Sequence, residues 1–228
     1  MSAIQAIQVF IETGQKRVFA GAVDWPGWCR TARDEASALQ VLLDYTPRYA
    51  KMLRAVGFDF AAPGGIDDFT ILERHAGNAT TDFGAPTAIL EADWQPPEPA
   101  ELERLQGVLE ACWRALDRAA HSAAGQPLKV GPRGGGRQVE AILAHVNEAE
   151  RAYLSKLGWK AGDREEDVPF ERLGHTHREV LAGLEAAARG ELPTQGPRGG
   201  KMWPVRYFIR RSAWHVLDPA WEIEDRAV

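Results

Sequence analysis

A proline-rich segment at residues 95–99 divides the chain into two parts with different patterns. Three prolines within five residues form a stiff break, which predicts a domain boundary. Before the break, short apolar segments alternate with turns, whereas after it apolar residues recur at helical spacing. The sequence therefore predicts an α+β protein, with one domain at residues 1–94 and a second at residues 95–228.

The first part is predicted to be a small α/β domain. Two apolar, β-branched segments, at residues 4–12 and 17–23, predict a β-hairpin. Apolar residues then recur at intervals of three and four, which predicts one helix over residues 34–53. Two further strands are predicted, the second more weakly, at residues 69–74 and 88–91.

The second part is predicted to be entirely helical. Its apolar periodicity indicates helices over about residues 100–121, 137–157, 170–189 and 204–225. Four helices of about 20 residues are typical of a bundle, which we expect to run up-down-up-down.

Charge and composition limit the partners of the chain. Its net charge is −5. Residues 1–95 hold 8 basic and 12 acidic residues, hence −4, which leaves −1 for the remainder. Neither part has the basic excess that binds nucleic acid, and no apolar run approaches the ~20 residues of a membrane span. The N-terminus lacks a signal-peptide pattern. We therefore expect a cytoplasmic protein without nucleic-acid or membrane partners, in which Cys29 and Cys112 are free thiols.

Two histidines are the main candidates for a functional site. If the bundle alternates in direction, His145 and His215 lie ~12 and ~16 Å from the starts of two parallel helices. The difference is less than one turn, so the two imidazoles are expected to meet in one layer. Imidazole and carboxylate groups together suit a divalent ion, and the nearby acids are Glu148, Asp218 and Glu222. The alternative is a pair of hydrogen-bonded histidines inside the bundle, with the acids in solvent.

Two similar glycine-arginine loops precede the second and fourth predicted helices, at residues 131–136 and 196–200. Helix N-termini attract anions, and cations at the same end would strengthen that attraction. The cations are Arg133, Arg137, Arg198 and Lys201. They predict a site for the carboxylate or phosphate of a small ligand. The alternative is a pair of solvated loops in which glycine only permits tight turns.

Two segments of the helical part carry a family resemblance. Residues 142–150 place His145 before two glutamates, and residues 214–226 begin Trp-His-Val-Leu-Asp and end Trp-Glu-Ile-Glu-Asp-Arg. Over residues 134–226 the chain resembles the DinB-like superfamily, four-helix bundles related to thiol-dependent maleylpyruvate isomerases. The resemblance implies a small substrate, acidic or thiol-linked, and allows a homodimer.

The DinB-like resemblance also implies a divalent metal ion such as Zn²⁺ or Ni²⁺. Such proteins hold the ion with one side chain from the second helix and two, four residues apart, from the last helix. His145 and His215 match two of these positions. Pro219 occupies the third and has no donor atom, so Asp218 or Glu222 would have to substitute. Proline here also predicts a kink in the last helix beside His215.

The N-terminal part carries a second resemblance. Residues 9–12 and 17–20 are followed by Asp-Trp-Pro-Gly at residues 24–27 and Asp-Glu-Ala at residues 34–36. They resemble the HicB-like family, a small α/β domain found in antitoxins. Because this part is acidic, we expect it to pack on the bundle or cover a ligand. Binding of a toxin-like partner is the alternative.

Two function hypotheses remain open from the sequence. The first is an enzyme, metal- or thiol-dependent, or a degenerate relative of one, acting on a small substrate in the bundle cavity. His145 and His215 would be metal ligands or acid–base groups, and no residue is assigned as catalytic. The second is a non-catalytic binding module, stress-related or antitoxin-like. His175 and His177, two residues apart on the third helix, are expected at the surface.

Overall fold

The structure is a computed structural model that describes residues 6–130, 136–162, 169–197 and 199–227. It confirms the α+β class, because a four-stranded sheet forms in the N-terminal part and long helices follow in the C-terminal part.

The sheet contains the predicted hairpin and two further strands. Its strands are β1 (Ile7–Thr13), β2 (Val18–Ala22), β3 (Cys29–Ala32) and β4 (Phe69–Ala76), in the order β3-β2-β1-β4. Both β1 with β2 and β2 with β3 pair antiparallel, whereas β1 and β4 pair parallel. The strand β3 was not predicted, because its sequence, Cys-Arg-Thr-Ala, is short and lacks an apolar alternation.

The predicted helix at residues 34–53 is two helices, α1 (Glu35–Asp44) and α2 (Thr46–Arg54). Asp34 caps α1 as the acidic start suggested, since its carboxylate accepts a hydrogen bond from the Ser37 amide at 2.8 Å. The break falls at Tyr45. Pro47 follows within the first turn of α2, and proline lacks the amide that would continue the α1 hydrogen bonds.

The predicted strand at residues 88–91 is wrong. A short helix α3 (Ala79–Phe83) leads into an extended loop, and a 3₁₀ turn follows at Glu91–Trp94. The amides of this loop bind carboxylates instead of a neighbouring strand. Ala88 donates to Glu12 at 2.8 Å, and Leu90 donates to Asp93 at 2.7 Å.

The four long helices begin and end within two residues of the predicted bounds. They are α4 (Pro99–Ser122), α5 (Val139–Leu157), α6 (Pro169–Ala188) and α7 (Val205–Arg226). Along their lengths α4 packs on α7 and α5 packs on α6, while α5 also contacts α7. The helix α7 continues across Pro219. No helix in the described ranges is long and apolar enough to cross a bilayer.

Two apolar clusters show how α7 joins the two parts. One large cluster includes Val9 and Ile11 on one face of the sheet and continues into the long helices. A smaller cluster lies on the other face, where Phe19 contacts Trp214 of α7 with ring centroids 6.2 Å apart. Cys29 belongs to this cluster and, like Cys112, is a buried free thiol as predicted. The division into two domains at residue 95 stays a prediction.

Candidate functional site

The two predicted histidines meet between α5 and α7. The ring centroids of His145 and His215 are 5.1 Å apart, with the ring planes inclined by 51°. His145 is solvent-exposed, whereas His215 is partly buried. The expectation that both imidazoles lie in one layer is therefore confirmed, with His145 nearer to solvent and His215 farther inside.

The surroundings of His215 keep it neutral. Burial lowers the pKa of His215 from 6.5 to about 3, and the positive charge of Arg211 acts in the same direction, followed by His145 and Arg137. Burial also lowers the pKa of His145, as does Arg137, while Glu148 opposes them. At neutral pH both rings can therefore offer a nitrogen lone pair without first losing a proton. The Nδ1 atom of His215 is buried and has no hydrogen-bond partner among the described residues.

Aromatic rings form one side of the site. Tyr153, two turns after His145 on α5, lies edge-on to His215 with ring centroids 5.6 Å apart. Burial raises the pKa of Tyr153, against the opposing charge of Arg211, so its hydroxyl stays protonated and can donate a hydrogen bond. The ring centroid of Trp203 lies 5.0 Å from that of Tyr153. The site thus combines an apolar side with two neutral imidazoles and one phenol.

The predicted additional ligands on α7 have other partners. Asp218 forms an ion pair with Arg30 of β3, and Glu222 accepts a hydrogen bond from Arg226 at 2.6 Å. Asp218 is engaged in this way because Arg30, on a strand of the sheet, is largely buried and needs an opposite charge. Glu148 is exposed on α5. Within the described ranges, no group of three or more His, Cys, Asp or Glu side chains could hold a metal ion.

The histidine pair alone matches the spacing of two metal ligands. Two imidazoles bound to one tetrahedral ion at ~2.0 Å hold their ring centroids about 5 Å apart. The observed separation is 5.1 Å. The third position of the implied ligand set falls on Pro219 inside α7, which contributes no donor. The assignment of His145 and His215 as metal ligands therefore stays a prediction.

The predicted anion site falls partly outside the described residues, because Arg133 and Arg198 lie there. Arg137 is exposed near the start of α5, and its charge reaches both histidines. Lys201 is exposed, with its ammonium 4.8 Å from the centre of the Trp94 ring. The convergence of four cations at one end stays a prediction.

A second polar cluster was not predicted. Glu150 of α5 is fully buried and accepts a hydrogen bond from the indole of Trp113 at 2.8 Å. His177 stacks on Trp113 and lies 3.2 Å from Glu150. The expected surface position of His175 and His177 is therefore wrong, since both side chains are 13% exposed. One signal was present in the sequence, because Glu150 occupies a place in the apolar stripe of α5, four residues after Val146.

Comparison with known protein families, curated proteins and solved structures found no match to the chain. The DinB-like and HicB-like resemblances therefore stay predictions, and the side chains themselves carry any argument about function.

Proposed function

We propose that the chain binds a small anionic molecule at the pair His145 and His215, together with a divalent metal ion that the two imidazoles hold. The observation that carries the proposal is the 5.1 Å separation of two neutral rings, one of which has a buried nitrogen without a hydrogen-bond partner in the part of the chain that the structure describes. On this proposal the helical part is a DinB-like bundle with an incomplete ligand set, and the HicB-like part covers it.

The packing of the long helices supports the bundle. Helices α4, α7, α5 and α6 contact one another in that order, which suits a bundle, and we propose that the four helices run up-down-up-down. In that arrangement α5 and α7 run parallel, as required for His145 and His215 to meet at similar depth. The division into domains at residues 1–94 and 95–228 is part of the same proposal.

The charges around the pair favour an anionic ligand. Arg137 and Arg211 both act on His215, and neither forms an ion pair with a carboxylate among the residues that the structure describes. These cations oppose a bare divalent ion but favour an ion that carries an anionic ligand. A thiolate or carboxylate would fill the open positions that Pro219 leaves and would offset the arginine charge.

Each residue has a separate role in this proposal. His145 and His215 would bind the metal ion, which supplies Lewis acidity and stabilises a bound thiolate. The Tyr153 hydroxyl would donate a hydrogen bond to the ligand, and the Trp203 and Tyr153 rings would exclude water from one side.

Metal titration tests the proposal. Calorimetry with Zn²⁺ and Ni²⁺ should find one equivalent bound by the wild type, and the affinity should rise when mercaptoacetate is present. Binding should be lost in both His145→Ala and His215→Ala, and retained in His121→Ala, which removes an exposed histidine of α4.

Two results would refute this function. One is the absence of metal binding both with and without mercaptoacetate. The other is binding that survives removal of either histidine, since the ion would then lie elsewhere. Either outcome would favour the non-catalytic binding module.

A further inference from the structure

A pocket open to solvent lies where α5 and α6 end and α7 begins. Its volume is about 510 Å³, which is within the range of small-molecule sites. The ends of these helices form its wall together with the 3₁₀ turn at Glu91–Trp94 and the loop at residues 190–204. Neither His145 nor His215 contributes to the wall. The pocket is therefore separate from the histidine pair.

The wall of the pocket is mainly apolar. Its largest side chains are Trp94 and Trp203, and Leu157, Leu192 and Met202 contribute as well. Trp94 is 45% exposed, although a side chain of this size is usually well buried. Large apolar side chains that line a concave surface are typical of sites for apolar ligands. The wall thus favours a guest with an apolar body, which would cover these side chains from water.

Contacts behind the wall hold it in place. The Trp203 amide donates a hydrogen bond to the Lys156 carbonyl at 2.8 Å, and the Trp203 ring lies 5.0 Å from that of Tyr153. The 3₁₀ turn of the wall is fixed by the buried ion pair of Asp93 with Arg210. A ligand would therefore meet a surface that is already ordered, which lowers the entropic cost of binding.

One charged group of the wall has no opposite charge beside it. The ammonium of Lys201 lies 4.8 Å from the centre of the Trp94 ring, and no carboxylate in the described ranges forms an ion pair with it. Among the described residues of the wall, Asp93 is the other charged one, and Arg210 neutralises it. The wall thus presents one cation beside an apolar surface.

Charges farther from the pocket have weaker effects on it. Glu185 and Glu191 both pair with Arg189 near the end of α6, which leaves one negative charge there. All three side chains are more than half exposed and none contributes to the wall, so water and salt screen them. Glu101 pairs with Arg206 at the start of α7 and adds no net charge. The cation on the wall is therefore the charge that a ligand meets.

We infer that this pocket binds a monocarboxylic acid with an apolar body of about ten carbons. The carboxylate pairs with Lys201, and the apolar body lies against Trp94 and Trp203. A neutral apolar molecule would leave the ammonium without an ion pair, and a cationic one would be repelled by it. An acid of about twelve non-hydrogen atoms fits the volume of the pocket. This inference does not rest on the proposed function, because the wall contains neither histidine and the ligand needs no metal ion.

Calorimetry with three ligands of one chain length tests the charge of the head group. Decanoate, decanol and decyltrimethylammonium are compared below their micelle concentrations, and the wild type should bind one decanoate more tightly than either of the others. Lys201→Gln should weaken decanoate binding by roughly 2- to 5-fold, the size of an exposed ion pair, and leave decanol binding unchanged. The matched control Lys51→Gln, at an exposed position of α2, should change neither affinity.

A second variant tests the apolar wall. Trp94→Ala should weaken the binding of decanoate and of decanol alike, by roughly 10-fold, because both lose the same apolar contact. Phe83→Ala removes an aromatic side chain that is 85% exposed and lies outside the wall, so it should leave both affinities unchanged. Because Lys201 and Trp94 are both exposed, neither substitution is expected to unfold the protein.

Crystals of the wild type with 10-bromodecanoate give a readout that needs no variant. An anomalous bromine peak in the pocket supports the inference. Equal affinities for decanoate and decyltrimethylammonium would overturn it, as would decanoate binding that both Lys201→Gln and Trp94→Ala leave unchanged. A wild-type dimer that Trp94→Ala dissociates, without bound decanoate, would also overturn it, because a second copy of the chain would then fill the pocket.

Discussion

The neutral state of His215 makes the stability of the protein depend on pH. Its pKa is about 3 in the folded protein and 6.5 in the unfolded chain. Between these values the unfolded state binds more protons, so stability is lost as the pH falls below 6.5. For these two pKa values, lowering the pH from 7 to 5 should reduce the free energy of unfolding by about 2 kcal/mol. This contribution is assigned to His215 alone.

Urea unfolding of the wild type and of His215→Gln at pH 7 and pH 5 measures this contribution. The wild type should lose about 2 kcal/mol more than the variant over this interval, because glutamine does not titrate. The lowered pKa of His145 acts in the same direction in both proteins, so the comparison isolates His215. His121→Gln, at an exposed position, should behave like the wild type. Equal losses in wild type and His215→Gln would refute the reasoning.

Two further pairs of substitutions test the packing elsewhere in the molecule. Trp113→Phe should lower the free energy of unfolding by about 1–3 kcal/mol, because buried Glu150 loses a hydrogen-bond donor. Trp159→Phe should lower it by about 1 kcal/mol or less, because its partner, Glu179, is only half-buried. Equal losses in urea unfolding would contradict this. Gly27→Ala should lower the free energy of unfolding by about 1–3 kcal/mol more than Gly57→Ala does. Both glycines have positive φ, but only at Gly27 would the added Cβ contact neighbouring atoms, the nearest at 3.1 Å. Similar Tm values for the two variants would refute that account.

The helices of the second part could be predicted from the sequence because they obey one local rule. An apolar stripe at helical spacing can be recognised without knowledge of distant residues. The predicted bounds of α4 to α7 were therefore close to the observed ones. The meeting of His145 and His215 followed from the same rule, since depth along a helix is a matter of counting residues. The break between α1 and α2 was missed although Pro47 marks it.

The surroundings of the histidine pair could not be predicted, because they depend on the sheet. Asp218 is three residues from His215, but its partner is Arg30, on a strand that has no clear pattern of its own. The ion pair with buried Arg30 thus makes Asp218 unavailable as a metal ligand. The cluster of Glu150 with His177 was missed for a similar reason, since its polar atoms meet only when α4, α5 and α6 pack together.

The sharing of α7 between both parts of the molecule has a practical consequence. Trp214 contacts the sheet, and the next residue, His215, contacts α5. If the protein were cleaved at the proline-rich segment, the helical fragment would expose the apolar surface of α7 that the sheet normally covers. Such a fragment should aggregate, or remain soluble only in detergent. Adding the N-terminal fragment in trans should restore a soluble complex.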